Sequence, residues 1–145
     1  MTVFPIEFGT PDYDRTVRLR TEILRKPLGL IYTVEQLAAE WSDLHVGCFD
    51  ENENLVGCLV LTKRDEKTVK MRQVAVDADH QKQGVGQAMV AWSETWARRN
   101  GFEKMTLHAR EPAVPFYEKL GYPRLGGVFL EVGINHFLME KGLIS

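Results

Sequence analysis

Two glycines stand one residue apart in the stretch QKQGVG, residues 81–86, of a chain that has only 12 glycines. A strand-like run ends at Val76 before this stretch, and apolar residues at helical spacing begin at Val85 after it. The first amides of a helix lack partners within the helix and, with the positive end of the helix dipole, form a site for an anion. Gly84 and Gly86 have no side chain to keep a phosphate away. The alternative for so short a motif is a pair of glycines that merely shape a turn.

Two known phosphate-binding loops do not match these residues. A P-loop ends in Gly-Lys-Ser/Thr, but Gly86 is followed by Gln87 and Ala88. A dinucleotide fingerprint needs Gly-x-Gly-x-x-Gly/Ala directly after the strand, whereas here the third position is Met89 and residues 77–83 separate the strand from the glycines. A nucleotide-binding or dinucleotide-binding module therefore ranks as a weak alternative.

The first half of the chain predicts the elements that come before the loop. The run TVFPIEF indicates a short strand, and Thr10 with Pro11 predicts the start of a helix. Thr33 and Gln36 have the spacing of a capping box on a second helix. Polar turns separate three further strand-like runs, which predict an antiparallel meander: HVGCFD, LVGCLVLTK and TVKMRQVAV.

The second half predicts a helix, a strand, a short helix and a final strand. Asn100 and Gly101 close the long helix. The strands are expected at KMTLHA and NHFLMEK, with a short helix in EPAVPFYEKLG between them. A strand, helix and strand in sequence imply one parallel pair within an otherwise antiparallel sheet. We therefore expect a single α/β (α+β) domain over residues 1–145, with a helix face formed by Val85, Ala88, Met89, Trp92 and Trp96 in its core.

The composition excludes several classes of partner. The chain is 44% hydrophobic and 26% charged, the ordinary balance of a globular protein. Its 18 Lys and Arg against 20 Asp and Glu leave a net charge of −2, so bulk charge favours neither nucleic acid nor an anionic membrane surface. No apolar stretch approaches the roughly 20 residues of a membrane span. Cys48 and Cys58 do not form a CxxC pair and are expected to be buried reduced thiols, which fits a cytoplasmic location.

The loop resembles a motif of a known family. VAVDADHQKQGVGQAMV is similar to the pyrophosphate-binding motif of the GNAT superfamily of acyl-CoA N-acyltransferases, whose pattern Gln/Arg-x-x-Gly-x-Gly/Ala matches Gln81, Gly84 and Gly86. Downstream, HAREPAVPFYEKLGY looks like the second signature of the family, with matches at Ala113, Phe116, Tyr117, Gly121 and Tyr122. The two signatures cover the C-terminal half of the chain. The resemblance implies a GNAT-like, mostly antiparallel mixed sheet with a splayed parallel pair and helices on both faces.

The same resemblance implies acetyl-CoA as the acetyl-donor cosubstrate and an amine as its acceptor. The pantetheine arm is expected along the backbone of Val74, Ala75 and Val76, and residues 116–119, with Phe116 and Lys119, are expected to flank the thioester. The pyrophosphate is expected on the loop, at Gln81, Lys82, Gln83, Gly84, Val85, Gly86 and Gln87.

Acetyl transfer to an amine needs a stabilised oxyanion, an acid for the departing thiolate and a neutral amine. The resemblance suggests backbone amides near residues 74–76 for the oxyanion and the phenol of Tyr117 as the acid; a half-buried core aromatic is the alternative for Tyr117. His108, on the strand after the long helix, is the best candidate for the base by placement and titration range. A structural histidine is the alternative. Glu22 ranks second, and a water chain is equally credible.

The chain departs from the family at the usual position of the base. Relatives often carry Glu or His on the splayed strand where this chain has Lys70 and Arg72. These two cations, with Glu22, are therefore predicted to contact the acceptor, and they would suit an acceptor with a carboxylate. The missing carboxylate leaves a catalytically silent acyl-CoA sensor as an alternative to an enzyme. No metal site is predicted, the acceptor is not indicated, and a homodimer is left open.

Overall fold

A computed structural model describes residues 1–144 of the chain, which form two compact units. Unit 1 consists of Met1–Thr62 and Gln73–Ser93, and unit 2 consists of Lys63–Arg72 and the residues from Glu94 onward. The single domain expected over residues 1–145 stays a prediction.

The strands form a mixed sheet in the order β1-β2-β3-β4-β5-β7-β6. The β4 and β5 strands are parallel, and the pairs β1–β2, β2–β3, β5–β7 and β6–β7 are antiparallel. This arrangement confirms the predicted fold class of a mostly antiparallel sheet with one parallel pair. The strands are β1 (Thr2–Ile6), β2 (Leu44–Phe49), β3 (Leu55–Lys63), β4 (Thr68–Val76), β5 (Lys104–Arg110), β6 (Arg124–Glu131) and β7 (Ile134–Gly142).

The predicted helix starts are confirmed by their capping hydrogen bonds. The Thr10 hydroxyl accepts a hydrogen bond from the amide of Tyr13, and Thr33 and Gln36 form both bonds of a capping box. One π-helical turn, Thr21–Arg25, and one 3₁₀ turn, Lys26–Leu28, extend the first helix. The α-helices are α1 (Pro11–Arg20), α2 (Val34–Ala38), α3 (Val85–Arg99) and α4 (Val114–Lys119).

A glycine in β3 allows the start of α3 to pack closely on the sheet in unit 1. A Cβ atom at Gly57 would lie 2.6 Å from Cγ1 of Val85 and 2.9 Å from Cε of Met89. Any larger residue would push this part of α3 away. Because Val85 is the first residue of α3, Gly57 helps to determine where the amides of the helix N-terminus lie.

The interior of unit 2 combines apolar residues with a buried, hydrogen-bonded carboxylate. β5 and β7 are in register from Lys104↔Gly142 to Arg110↔His136, and Met105, Leu107 and Met139 are buried between neighbouring elements. The Tyr122 hydroxyl donates a hydrogen bond of 2.7 Å to Oε2 of the buried Glu94. Nζ of Lys141 lies 3.0 Å from Oε1 of the same carboxylate, so Glu94 is satisfied by a phenol and an ammonium.

The buried face of α3 differs from the predicted one. Val85 and Met89 are buried as expected, but Ala88, Trp92 and Trp96 are only half-buried. The remaining buried positions are Val90, Ser93, Glu94 and Ala97. The prediction assumed that the large apolar residues of the helix face the interior. In the second half of the helix, the hydrogen-bonded Glu94 faces the interior instead.

The β6 strand was not predicted. Its sequence RLGGVFLE contains two adjacent glycines, every residue except Phe129 is exposed, and its register with β7 shifts between Leu125 and Phe129. An exposed strand lacks the alternation of buried and exposed positions from which strands are recognised. The omission has consequences for the site, because β6 ends in Glu131.

Both cysteines are buried free thiols, as predicted, and burial raises the pKa of Cys58 to about 12. Within residues 1–144, no helix is long and apolar enough to cross a membrane. The same residues contain no cluster of three or more His, Cys, Asp or Glu side chains that would suit a metal ion.

Candidate active site

The N-terminus of α3 has the backbone geometry of an anion site. The first hydrogen bond of the helix runs from the amide of Ala88 to the carbonyl oxygen of Gly84 at 2.9 Å, so the amides of residues 85–87 precede it. Gly84 has a φ of 84°, in the left-handed region that favours glycine, and a Cβ there would meet nothing within 4 Å. The first turn of α3 has no acidic residue. A negatively charged group is therefore favoured at this end of the helix.

An aspartate turn connects β4 to this loop. The amide of Asp77, directly after β4, donates a hydrogen bond of 2.9 Å to the carbonyl oxygen of Val56 on β3, within unit 1. The Asp77 carboxylate accepts from the amide of Asp79 at 3.2 Å and lies 2.8 Å from Nδ1 of His80. These bonds hold the chain in a single turn of 3₁₀ helix, Ala78–His80.

Two glutamine side chains of the motif form hydrogen bonds to backbone carbonyl oxygens at the loop. Nε2 of Gln81 donates to the carbonyl oxygen of Val76 at 3.3 Å, and Nε2 of Gln83 donates to that of Asp79 at 3.2 Å. Lys82 between them is exposed and has a φ of 64°. The side chains of these glutamines therefore shape the loop, and the cationic side chain of Lys82 is open to solvent.

A small cavity of about 240 Å³ lies beside the loop in unit 1. Its lining includes His80, Gln83 and Val85, but also the acidic Asp50 and Glu51. Two carboxylates make this cavity unfavourable for a phosphate. A negatively charged group is therefore favoured at the α3 N-terminus over this cavity.

The β4 strand changes its backbone conformation at Gln73. The parallel register with β5 runs from Thr68↔Lys104 to Met71↔Leu107, whereas β4 itself continues to Val76. Gln73 has a φ of 54°, a strained conformation for a residue with a side chain. Beyond it lie Val74 and Val76, both half-buried, and the buried Ala75.

A tyrosine from the segment between α1 and α2 holds Gln73. The Tyr32 hydroxyl donates to Oε1 of Gln73 at 2.5 Å. The guanidinium groups of Arg20 and Arg25 lie 4.6 Å and 4.4 Å from the centre of the Tyr32 ring. The two cations and the hydrogen bond restrain the ring, and the ring in turn restrains the strained residue before Val74.

Arg20 belongs to a buried ion pair of unit 1. Its NH1 and NH2 atoms donate to Oε1 and Oε2 of Glu40 at 2.8 Å and 2.6 Å, and the side chain of Arg20 is 0% exposed. The Tyr13 hydroxyl also donates to Oε1 of Glu40, at 2.9 Å. Burial by itself raises the pKa of Glu40, but the hydrogen bond and charge of Arg20, together with Tyr13 and His45, lower it below its usual range. Glu40 is thus an ionised, bidentate partner of Arg20.

His108 in unit 2 lies within a cluster of charged side chains. Its Nδ1 is 3.0 Å from Oε1 of Glu131 at the end of β6 and 3.3 Å from Nζ of Lys70 on β4. The other carboxylate oxygen of Glu131 is 3.5 Å from Nε2 of His136 on β7. We call these four residues, Lys70, His108, Glu131 and His136, the histidine cluster.

The charges of the histidine cluster shift two pKa values. Burial lowers the pKa of Lys70, an effect that Glu131 opposes and that the charges of Arg64 and Arg72 reinforce. Partial burial alone would raise the pKa of Glu131, but the hydrogen bond and charge of His108, with the charges of His136 and Lys70, lower it. Glu131 is therefore a carboxylate at neutral pH, and as a carboxylate it only accepts hydrogen bonds.

Tyr117 on α4 is buried in unit 2, with 6% of its surface exposed. Burial raises the pKa of its phenol well above the usual range, so the hydroxyl keeps its proton. Its ring makes edge contacts with Phe116 and Tyr122 at centroid distances of 5.0 Å and 6.1 Å. Phe116 and Lys119 on the same helix are exposed.

Glu22 does not join these groups. It lies on the π-helical turn after α1, is exposed, and forms an ion pair of 3.4 Å with Lys26. In unit 1, the predicted loop residues 81–87 lie together at the N-terminus of α3. The structure likewise brings the predicted Lys70 and His108 together, with Tyr117 on a separate helix of unit 2.

The sequence did not point to three residues that contact the predicted ones. Tyr32 and Gln73 carry no motif, because neither a left-handed glutamine nor its hydrogen bond leaves a pattern in the sequence. Glu131 was missed with its strand, although the residues that follow it, Val132 and Gly133, both have positive φ values of a turn. Recognition of that turn would have placed Glu131 at a strand end beside β7.

Comparison with known proteins agrees with this geometry. The model of the Acetyltransferase (GNAT) family matches residues 13–122. Among curated proteins, an uncharacterized protein YyaT of Bacillus subtilis (strain 168) is 34% identical over 74 residues, which are 51% of this chain and 50% of that protein. An uncharacterized acetyltransferase of Streptococcus pyogenes is 36% identical over 64 residues, 44% of each chain. The chain thus spans about half the length, or less, of these curated relatives.

Solved structures share the fold at low sequence identity. A GNAT family acetyltransferase from Elizabethkingia anophelis with acetyl-CoA bound has a TM-score of 0.74 and 21% identity, covering 97% of both chains. The aminoglycoside 6'-N-acetyltransferase from Enterococcus faecium has a TM-score of 0.81 and 17% identity, covering 100% of this chain and 98% of that one. The family match includes the loop at residues 81–86, His108 and Tyr117. The chain belongs to the GNAT family of acetyltransferases, whose acetyl donor is acetyl-CoA.

Proposed function

We propose that this protein is an acetyl-CoA-dependent N-acetyltransferase that transfers the acetyl group directly to a primary amine of a small molecule or a peptide. The observation that carries the proposal is the N-terminus of α3, where amides of residues 85–87, a left-handed Gly84 and a first turn without acidic residues form an anion site. This site lies at the pyrophosphate motif of a chain that belongs to an acetyltransferase family.

The residues present fit coenzyme A. The loop would hold the pyrophosphate by its amides from Lys82 to Gln87, since no side chain of Gly84 or Gly86 obstructs them. The backbone of Val74, Ala75 and Val76 would bind the pantetheine arm, and Phe116 and Lys119 would flank the thioester. Acetyl-CoA supplies an activated acyl carbon.

Three groups are assigned to the chemistry. A backbone amide near Val74 would stabilise the oxyanion, and Gln73, held by Tyr32, would set the direction of that amide. Tyr117 would donate its proton to the departing thiolate, because burial keeps its phenol protonated. His108 would take the proton that the attacking amine loses. Its ring lies beside an ionised carboxylate, with Nδ1 3.0 Å from Oε1 of Glu131.

The acceptor is assigned only by its charge. Lys70 and Arg72 lie on β4 where a carboxylate of the acceptor would be favoured, although Lys70 also contacts His108. Glu22 is exposed and would be able to contact a cationic part of the acceptor. A silent acyl-CoA sensor is the second candidate, because β4 has no Glu or His at the usual base position.

An acetyl-CoA consumption screen tests the proposal. The chain is assayed against a panel of amines that includes matched acidic and neutral members, and release of free thiol is recorded. We expect turnover above the hydrolysis background for at least one amine, with preference for the acidic members. Binding of acetyl-CoA without turnover of any amine would favour the sensor.

Two variants and one control test the site assignments. Gly86→Glu should abolish coenzyme A binding in calorimetry, whereas Gly127→Glu, at an exposed glycine with open space, should bind normally. Tyr117→Phe should lower kcat by roughly 10²–10⁴-fold with little change in acetyl-CoA affinity or melting temperature. A folded Gly86→Glu protein that still binds would refute the pyrophosphate assignment.

Cytoplasmic location and a homodimer remain predictions. Fractionation of cells that express the chain would test the first, and sedimentation of the purified chain would test the second.

A further inference from the structure

Glu131 is the residue of the histidine cluster whose role the proposed function leaves open. It ends the exposed strand β6, yet its two carboxylate oxygens approach two histidines, Oε1 to His108 at 3.0 Å and Oε2 to His136 at 3.5 Å. Carboxylates that orient an imidazole are a common device where histidine transfers protons.

The two contacts of Nδ1 in His108 require opposite protonation states. Glu131 only accepts, so its contact requires a proton on Nδ1. The ammonium of Lys70 only donates, so its contact requires a bare Nδ1 and places the proton of a neutral ring on Nε2. Only the first arrangement leaves Nε2 with a lone pair that can receive a proton.

The geometry favours the carboxylate. Its distance of 3.0 Å is within the normal range of a hydrogen bond, whereas the 3.3 Å to Lys70 is long. A hydrogen bond to an ionised carboxylate is also among the stronger ones. The ring of His108 is additionally restrained, because the ring of Phe129 on β6 packs edge-on against it at 5.0 Å.

His136 supports the far side of the carboxylate. Its Nδ1 lies 3.0 Å from the carbonyl oxygen of Ile134, which only accepts, so the Nδ1 proton is used there. Nε2 can therefore donate to the Glu131 carboxylate only when the ring carries a second proton, as an imidazolium. The ring is buried and stacks on Phe129 at 6.0 Å. His136 therefore has a fixed orientation, with Nε2 toward Glu131.

We propose that Glu131 is the positioning residue of His108: its carboxylate holds the proton on Nδ1 of the ring against the competing Lys70, so that Nε2 is the atom that accepts the proton of the amine. The proposal rests on the proposed function for the identity of the reaction. The proton leaves the attacking nitrogen and binds Nε2, and the imidazolium that results lies beside the negative charge of Glu131.

Nuclear magnetic resonance of the imidazole nitrogens tests this without any acceptor. The chain has only four histidines, and loss of one signal set in His108→Gln assigns the ring. We expect the wild-type ring at high pH in the form protonated on Nδ1. In Glu131→Gln the titration midpoint of His108 should fall by about 1 pH unit. The form protonated on Nε2 should also increase, because the contact with Lys70 then determines which ring nitrogen carries the proton.

Lys70→Met should have the opposite effect to Glu131→Gln on the ring of His108. It removes the competing cation, so the midpoint of His108 should rise and the Nδ1-protonated form should be retained. Glu66→Gln, which removes an exposed carboxylate of unit 2 paired with Lys63, should leave His108 unchanged and controls for net charge. A wild-type ring protonated on Nε2, or an unchanged midpoint in Glu131→Gln, would overturn the proposal.

The rate profile gives an independent readout once the amine screen has supplied an acceptor. Because His108 must be unprotonated to act, the acidic limb of kcat/KM, which reports the free enzyme, should move to lower pH in Glu131→Gln by the same amount as the midpoint. An unmoved limb would overturn the catalytic part of the proposal. If no amine is turned over, the proposed function fails, but the ring measurements still decide the role of Glu131.

Discussion

Glu40 in unit 1 and Glu131 in unit 2 are both ionised carboxylates with basic partners, but their surroundings differ. Glu40 is 4% exposed and binds Arg20, a permanent cation, through both oxygens. The side chain of Glu131 is 44% exposed, and its partners His108 and His136 are imidazoles, which can carry one or two ring protons. A carboxylate paired with an always-charged guanidinium maintains a structure, whereas one paired with imidazoles is able to control a proton.

The difference also concerns what each pair holds in place. The Arg20 guanidinium stacks on Tyr32, which bonds to the strained Gln73 of β4. Glu131 contacts two histidine side chains of unit 2, the half-buried His108 and the buried His136. We therefore expect changes at Glu40 to affect folding and changes at Glu131 to affect proton transfer, and the following predictions test this division from the largest effect to the smallest.

Glu40→Gln should have the largest effect on stability. It leaves the guanidinium of Arg20 buried without its counter-charge, which costs about 3–5 kcal/mol in the free energy of unfolding. Urea unfolding followed by circular dichroism measures this loss. Glu35→Gln, at an exposed position on α2, is the control and should change stability by less than about 0.5 kcal/mol.

A double variant shows whether the pair or the unpaired charge matters. Arg20→Met with Glu40→Met should recover most of the stability, because apolar replacement of a buried ion pair is often neutral. A double variant as unstable as Glu40→Gln would mean that the network has a structural role beyond charge compensation.

Acid should weaken the protein through Glu40. Because its pKa is lower in the folded than in the unfolded chain, the ionised form contributes stability that is present above the unfolded pKa of about 4.3. This stability is lost as the pH falls through the folded pKa, with a slope of up to about 1.4 kcal/mol per pH unit for one proton. Urea unfolding between pH 6 and pH 3, values chosen to bracket about 4.3, should show a smaller slope in Glu40→Gln than in the wild type. Equal slopes would assign the acid sensitivity to other carboxylates.

Tyr32→Phe should have an intermediate effect, since Tyr32 connects the buried network to β4. Loss of its hydrogen bond to Gln73 should cost about 1 kcal/mol in the free energy of unfolding, and the affinity for acetyl-CoA should fall because Gln73 precedes the predicted pantetheine strand. A double-mutant cycle with Gln73→Ala measures the coupling. Additive losses would mean that the short hydrogen bond does not hold the strand.

Glu131→Gln should have the smallest effect on stability. Its own carboxylate is 44% exposed and screened by solvent, so the free energy of unfolding at pH 7 should change by less than about 0.5 kcal/mol. The same preparation would nevertheless show the altered titration of His108. A loss of about 2 kcal/mol or more would place Glu131 with Glu40 as a structural residue and would erase the division between the two regions.

The loop at residues 81–86 shows how much of a local structure the nearby sequence determines. Strand β4, the glycines and the start of α3 lie where their residue pattern predicted them, because glycine readily adopts the left-handed backbone found at Gly84 and the apolar spacing after it specifies a helix. The capping residues Thr10 and Thr33 were also predictable, since a cap acts over only three residues. Family motifs then supplied the cosubstrate of the family, which no spacing rule contains.

Contacts between distant segments were decided only by the tertiary structure. The sequence by itself determined the order of most elements, the glycine-containing loop before α3 and the choice of His108 as a candidate. Tyr32 meets Gln73, and Glu131 meets His108, only after strands and helices far apart in the chain have packed. Nothing local distinguishes Glu131 from other exposed acidic residues, because the protonation of His108 depends on which side chains surround its ring, and those come from β4, β6 and β7.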